Sequence, residues 1–208
     1  MTQWLLEHWM ELIGTILSLI YLYFSVRENI WLWVTGFFSS LFYLIIFFQE
    51  RLYADMGLQV YYLVISIYGW IVWTMGRQRS GRKKMPIQKT GIRKALNLLI
   101  AGGGIYIVVL LILLKLPAKI DIPASDLPFW DAFTTTGGIV ATWMLAKKYL
   151  EHWLIWIIVD AVSSGMYLYK GLNITVLLYL VYTVVAAVGY YEWRQSMKKN
   201  KILQESGN

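Results

Sequence analysis

Stretches of about 20 predominantly apolar residues recur from one end of the 208-residue chain to the other, with short polar segments between them. A helix needs roughly 20 such residues to cross the hydrocarbon core of a bilayer. The stretches lack the alternation over about 10 residues that marks a transmembrane β-strand. The pattern therefore predicts an all-α polytopic membrane protein. Its seven spans lie at roughly residues 10–26, 31–49, 56–76, 95–115, 129–146, 151–170 and 172–193.

The two halves of the chain resemble each other at a shift of 120 residues. At this shift Leu52, Tyr62, Gly69 and Trp73 fall on Leu172, Tyr182, Gly189 and Trp193. Three more residues of offset align Trp33 of the second span with Trp156 of the sixth. Two units of three helices joined by a fourth span make a 3+1+3 parallel repeat, similar to that of SWEET carriers. Substrates of such bundles usually bind near mid-membrane between the repeats, so the architecture favours a transporter over an enzyme.

This repeat divides the chain into four parts. They are the first three-helix repeat at 1–76, a basic loop with the fourth helix and an outer loop at 77–128, the second three-helix repeat at 129–194, and a tail at 195–208.

Basic residues lie unevenly between the predicted spans. Of the 19 Lys and Arg residues, 15 fall in alternate connections, around residues 27, 77–94, 147–148 and 194–201. Because cytoplasmic loops carry the excess of Lys and Arg, this side is predicted to be cytoplasmic, with the N-terminus outside and the C-terminus inside. The net charge of +7 then reflects membrane orientation and contact with lipid, and no nucleic-acid partner is predicted.

Signatures of enzymes are absent from the sequence. The chain has no cysteine, no G-x-S-x-G, no H-E-x-x-H and no Walker-type loop, and its two histidines lie near span ends. We therefore predict no catalytic residue, no metal and no cofactor, and no ATP-driven step within this chain.

The third span carries polar and aromatic residues along one helical face. The stripe contains Gln59, Tyr62, Ser66, Gly69 and Trp73. We interpret Gln59, Tyr62 and Ser66 as substrate-binding candidates that face the bundle interior. Two simpler interpretations stay open: Ser66 allows close helix packing, and Trp73 anchors at the membrane interface.

Asp160 lies near the centre of the sixth span, where a carboxylate costs roughly 2.5–3.5 kcal/mol on insertion scales. Ser163, Ser164 and Tyr167 follow it on the same helical face, and Thr135 of the fifth span brings a further hydroxyl. These residues predict a hydrogen-bonding or counter-charge site for a ligand, with a purely structural Asp160 as the alternative.

Four aromatic residues are candidates for stacking on a flat ring or for gating. They are Trp33, Trp73, Trp156 and Tyr182. The alternative for the tryptophans is an interfacial aromatic belt.

Three stretches of the chain resemble the PnuC family of bacterial vitamin transporters: "LYADMGLQVYYLVISIYGW", "PFWDAF" and "KKYLEHWLIWIIVDAVSSGMYLYKGL". The resemblance covers residues 10 to 194. It implies seven spans in a 3+1+3 arrangement in the bacterial inner membrane and assembly as a homotrimer. It also implies facilitated diffusion of nicotinamide riboside, which a cytoplasmic kinase then phosphorylates and traps.

Relatives in this family carry thiamine or riboflavin instead, so the substrate stays open between vitamins. Nicotinamide riboside and thiamine are both cationic and aromatic, and Asp160 would attract either, although riboside carriers commonly have Asn at this point of W-x-x-x-N/D. Riboflavin is neutral and bulkier, so it is a less favoured substrate than the other two vitamins. Proton-coupled transport through Asp160 and a non-transporting receptor or scaffold are the remaining alternatives.

Overall fold

The computed structural model describes residues 2–49, 53–80, 85–120 and 124–205. Within these ranges it contains seven α-helices, which confirms the predicted all-α fold and the number of helices. The helices are α1 (Thr2–Val26), α2 (Leu32–Gln49), α3 (Tyr53–Ser80), α4 (Ile92–Ile120), α5 (Pro128–Ala146), α6 (His152–Tyr169) and α7 (Asn173–Glu205). Basic residues 82–84 of the predicted cytoplasmic loop and tail residues 206–208 lie outside the described ranges.

In the part of the chain that the structure describes, four helices contain a segment long and apolar enough to cross a membrane: Leu32–Gln49, Met56–Gln78, Ile92–Lys119 and Thr175–Asn200. The apolar part of α1, Leu12–Val26, is shorter. Helices α5 and α6 carry the threonines and Asp160 that the sequence singled out, and these polar side chains lower their hydropathy. The spans at 129–146 and 151–170 therefore stay predictions.

The chain divides into two compact units. Unit 1 comprises residues 1–86 and 146–148, and unit 2 comprises residues 87–145 and 149–208. In unit 1, α2 packs against both α1 and α3. In unit 2, α6 packs against α7, and the apolar segment of α4 is buried nowhere along its length.

Inside unit 1, the ring of a tryptophan packs directly against a glycine. Trp33 of α2 is 1% exposed, and a Cβ added at Gly69 of α3 would overlap its indole ring. Trp73, one helical turn beyond Gly69, meets the Trp33 ring edge-to-face at a centroid distance of 5.6 Å. Gly69 thus allows α3 to approach α2 closely enough for the two indoles to form the core of the unit.

Unit 2 contains the same arrangement 120 residues further along the chain. A Cβ at Gly189 would meet the ring of Trp153 at 2.6 Å, and Trp153 meets Trp193 edge-to-face at 5.9 Å. The counterpart of Trp33 is therefore Trp153, and the alignment of Trp33 with Trp156 was wrong. The extra three-residue offset matched tryptophan letters in the sequence, whereas α2 and α6 begin 120 residues apart, at residues 32 and 152.

Replacing Gly69 with Ala is expected to lower the free energy of unfolding by about 1–3 kcal/mol, because the added methyl must displace a buried indole. The measurement is the thermal unfolding midpoint of the protein in detergent. Gly103→Ala in α4 is the matched control, since no atom lies within 4 Å of a Cβ at that position. Equal midpoints for the two variants would contradict the packing argument.

Candidate functional site

The buried face of α6 collects the polar residues that the sequence singled out. Asp160, Ser163 and Ser164 are 6%, 5% and 7% exposed, whereas Ile158 of the same helix is 53% exposed. The Ser164 hydroxyl donates to the Asp160 backbone carbonyl at 2.9 Å. Such a bond lets a serine face an apolar interior without an unpaired donor. The polar side of α6 is therefore its packed side.

The carboxylate of Asp160 is the least compensated group on this face. Within the described ranges it accepts no hydrogen bond and forms no ion pair. A buried carboxylate without a cationic or hydrogen-bonding partner is costly, so such groups normally meet a charge or a donor.

Three tyrosines form a connected group near Asp160. The rings of Tyr167 and Tyr179 lie 5.0 Å apart, and those of Tyr179 and Tyr182 lie 5.7 Å apart. The side chains of Tyr179 and Tyr167 are hydrogen-bonded, and Tyr179 is close enough to Asp160 to interact with its charge. The structure thus joins Tyr167 of α6 to Tyr182 of α7, both predicted site residues.

Tyr179 was missed at the level of sequence. The sequence is rich in tyrosine, with 15 along the chain, so one more within an apolar span did not stand out. A signal was present nevertheless: the 120-residue shift places Tyr179 opposite Gln59, which the sequence did single out.

The threonines of α5 lie beside α6. Thr135 is half-buried, and Thr136 is 8% exposed with a hydroxyl that has no hydrogen-bond partner in the described part of the chain. A Cβ added at Gly137 would overlap the side chain of Val159, so α5 and α6 are in close contact at this level. The buried hydroxyl without a hydrogen-bond partner in the described part of the chain therefore belongs to Thr136 and not to Thr135, the residue predicted from the sequence.

In unit 1, the polar stripe of α3 lies on the packed side of the helix. Ser66 is 4% exposed, and its hydroxyl donates to the backbone carbonyl of Tyr62 at 2.7 Å. Gln59 and Tyr62 are half-buried. On the opposite face Val64 is 61% exposed.

A second glycine brings three helices of unit 1 together around Ser66. A Cβ added at Gly36 of α2 would meet the ring of Tyr21 of α1 at 2.9 Å and the hydroxyl of Ser66 at 3.5 Å. Ser66 therefore serves close packing here, as its alternative interpretation stated, whether or not it also binds a ligand.

The aromatic candidates for stacking or gating fall into two groups. Trp33 and Trp73 are buried against each other, and the Trp73 indole Nε1–H donates to the backbone carbonyl of Ala146 at 3.1 Å. Trp156 and Tyr182 are half-buried. No cluster of three or more potential metal-ligating side chains occurs among the residues that the structure describes.

Helices apolar and long enough to cross a bilayer, with polar side chains on their buried faces, are typical of a membrane protein that handles a polar ligand, and the comparisons give its class as a membrane transporter. The family described as "Nicotinamide mononucleotide transporter" matches residues 8–195. The chain belongs to this family, the PnuC family, and its apolar helices fit a multi-pass protein of the bacterial inner membrane.

Individual relatives agree with the family assignment. The nicotinamide riboside transporter PnuC of Escherichia coli is 29% identical, over 92% of this chain and 87% of the relative. The riboflavin/roseoflavin transporter RibM of Streptomyces davaonensis is 26% identical, over 89% of this chain and 84% of the relative. The crystal structure of the vitamin B3 transporter PnuC superposes with a TM-score of 0.69 at 19% identity, covering 92% of this chain and 83% of that one, which shows the shared fold.

Proposed function

We propose that the protein carries a cationic, aromatic B-type vitamin across the inner membrane, and that this vitamin is nicotinamide riboside. The observation that supports a cationic vitamin is the buried carboxylate of Asp160, which lies beside the tyrosine group of α6 and α7. The choice of nicotinamide riboside among cationic vitamins is supported by the relatives named as nicotinamide riboside transporters. A pyridinium ring would gain from the carboxylate and from aromatic faces. The ribose hydroxyls would find hydrogen-bonding partners in Ser163, Ser164 and Tyr167. Gln59, Tyr62, Ser66 and Thr135 stay predicted substrate contacts.

The family description mentions a mononucleotide, but the chemistry of Asp160 favours the nucleoside. A phosphate group would be repelled by a buried carboxylate, because like charges at short range are poorly screened in an interior of low dielectric constant. The nucleoside has no phosphate, so this repulsion is absent, and it still has the cationic ring.

Two other vitamins are alternatives. Thiamine is also cationic and aromatic, so Asp160 would attract it as well. Riboflavin ranks behind both because it is neutral, yet it stays a candidate because one relative is named as a riboflavin carrier.

The proposed mechanism is facilitated diffusion by alternating access, with a cytoplasmic kinase phosphorylating and trapping the vitamin. The distribution of Lys and Arg supports an N-terminus outside and a C-terminus inside. A homotrimer, in contact with lipid, is the expected assembly from the family resemblance. We propose no catalytic role for any residue.

A 3+1+3 parallel repeat is part of the proposal. It is supported by the spacing of the helices. Helices α2 and α6 begin 120 residues apart, at residues 32 and 152, and helices α3 and α7 also begin 120 residues apart, at residues 53 and 173. It is also supported by the two Trp–Gly–Trp arrangements with the same spacing. The arrangement is similar in plan to that of SWEET carriers.

Calorimetry on the purified protein with nicotinamide riboside, thiamine and riboflavin side by side tests the proposal. Tight binding of the riboside alone is the expected result, followed by its uptake into liposomes containing the protein. Binding of thiamine or riboflavin alone would replace the substrate. Binding without uptake would favour the receptor or scaffold alternative, and accumulation driven by a pH gradient would favour proton coupling.

Tyr179→Phe is expected to weaken vitamin binding about 2- to 10-fold, since one hydrogen bond contributes about 0.5–1.5 kcal/mol. The ring contacts with Tyr167 and Tyr182 would be kept, so the change isolates the hydroxyl. The measurement is the calorimetric Kd. Tyr169→Phe on α6 is the control, because Tyr169 is 76% exposed. Equal affinities for the two variants would remove Tyr179 from the site.

A further inference from the structure

An ion pair is buried inside unit 1. The Nζ atom of Lys148 lies 2.8 Å from the Glu28 carboxylate, and the two side chains are 0% and 7% exposed. Glu28 belongs to the turn between α1 and α2, and Lys148 belongs to the turn between α5 and α6. We call this pair the latch.

Two further groups complete the environment of the lysine. Its Nζ also donates to the backbone carbonyl of Met85 at 2.9 Å and lies 4.4 Å from the centre of the Trp73 ring. Trp73 in turn donates to Ala146, two residues before the lysine. The ammonium therefore exchanges its hydration for a carboxylate, a carbonyl and an aromatic face, as a buried charge requires.

Both members of the latch have an unusual backbone conformation. Glu28 has φ of 52° and Lys148 has φ of 55°, in the left-handed region that residues other than glycine rarely adopt. The two positions are 120 residues apart, so they are equivalent in the proposed repeat. Opposite charges thus occupy equivalent turns and face each other, and in each turn glycine would be less strained.

The backbone passes from unit 2 into unit 1 and back to unit 2 around Lys148. The chain leaves unit 2 after Leu145, contributes residues 146–148 to unit 1, and returns to unit 2 at Tyr149. Immediately after the return, Leu150 N–H donates to the Gln88 carbonyl at 2.9 Å, and Thr90 donates twice to the Glu151 carboxylate at 2.8 Å. The three residues held by the latch are therefore flanked on both sides by segments anchored in the other unit.

A buried ion pair is a poor choice for permanent stabilisation. Well-packed apolar residues of similar volume are often as stable or more stable, because they avoid the desolvation of two charges. An ion pair differs in that its two members can each be hydrated when they separate, which offsets part of the cost of opening.

We propose that the latch opens and closes once in each transport cycle, which makes Glu28 and Lys148 positioning residues for the exchange between the two access states. The inference rests on the alternating access described under the proposed function. In the proposed topology both turns are cytoplasmic, so the open latch accompanies access from the cytoplasm.

The first test uses the absence of native cysteine, which makes the wild-type chain a ready background for thiol chemistry. In the double variant E28C/K148C both charges are removed together, so neither is left buried alone. Joining the two thiols with a bifunctional methanethiosulfonate reagent is expected to reduce vitamin uptake into liposomes at least tenfold and to leave the calorimetric Kd unchanged. Reduction should restore uptake. Unchanged uptake by fully crosslinked protein, verified by mass, would overturn the proposal.

The same variant gives a readout that needs no vitamin. Its thiols are buried when the latch is closed and become exposed each time the latch opens. Maleimide should therefore label them in liposomes at least tenfold faster than it labels Ala141→Cys, whose position is 0% exposed in α5. Equal, slow labelling at both positions would show a static pair and overturn the proposal. A wild-type protein that carries none of the three vitamins would instead refute the proposed function, and the labelling comparison would still decide on the latch.

Exchanging the two charges covers the case in which the cysteine variant does not fold. Either single change, E28K or K148E, should reduce uptake at least tenfold. The double variant E28K/K148E is expected to recover uptake at least threefold over either single change, but not to reach the wild-type rate, because the Met85 carbonyl and the Trp73 ring favour a cation at position 148. Single variants with wild-type uptake, or a double variant as impaired as the single ones, would overturn the proposal.

Discussion

Replacing Asp160 with Asn is expected to weaken the binding of nicotinamide riboside or thiamine about tenfold or more, without unfolding the protein. A hydrogen bond or contact to a charged group contributes about 1.5–3 kcal/mol, and every 1.4 kcal/mol is a factor of ten in Kd. The amide keeps the volume and hydrogen-bonding capacity of the carboxyl group but loses its charge. It also removes the cost of burying a carboxylate at a position that is 6% exposed, so the variant should unfold at the same temperature or higher.

Calorimetry with each cationic vitamin that binds the wild-type protein measures this effect. Asp126→Asn is the matched control, because it makes the same change of charge at an exposed position before α5. An unchanged Kd for the cationic vitamins would mean that Asp160 acts only as a hydrogen-bonding group that Asn can replace. The electrostatic part of the proposal would then be wrong.

The helices were predictable because a bilayer imposes one strong requirement, a long apolar segment, and this requirement is visible in the sequence alone. The structure adds the ends of the helices, several of which extend beyond the apolar core. Helix α3, for example, runs to Ser80, whereas the predicted span ends at residue 76. Polar helical turns outside the membrane give no hydropathy signal, so these extensions could not be read from apolar length.

The candidate site was predictable only in part, for a related reason. Asp160 stood out because a carboxylate is rare in an apolar span, and its burial followed from its cost. Tyr179 did not stand out, because an aromatic residue in a membrane helix is ordinary until its ring and hydroxyl partners are known. The tryptophan pair of unit 2 was misassigned for the opposite reason: Trp153 and Trp156 are three residues apart, and only the contact with Gly189 distinguishes them.

The Glu28–Lys148 pair had no signal at all in the sequence. Lys148 is one of the basic residues that the positive-inside pattern places in a loop, and such residues are normally solvated. Its neighbour Lys147 fits that expectation better, because it is half-buried with its Nζ 4.9 Å from the centre of the Tyr68 ring. Charge patterns give the side of the membrane but not which of two adjacent lysines is completely buried.

Lys148→Met is expected to lower the free energy of unfolding by about 3–5 kcal/mol, because it leaves the Glu28 carboxylate buried and unpaired. The methionine fills most of the volume of the lysine stem, so the loss reports mainly on the uncompensated charge. It also leaves the Met85 carbonyl without its donor. The measurement is the unfolding midpoint in detergent at neutral pH.

The double variant Lys148→Met/Glu28→Gln separates charge from packing. If the uncompensated carboxylate is the main cost, removing its charge should recover more than half of the lost stability, and the two substitutions will be strongly non-additive. Lys147→Met is the control, with an expected loss below about 1 kcal/mol, since a partly exposed cation contributes little. Additive losses in the double variant would mean that the lysine stabilises unit 1 through its contacts with Met85 and Trp73 rather than through its charge partner.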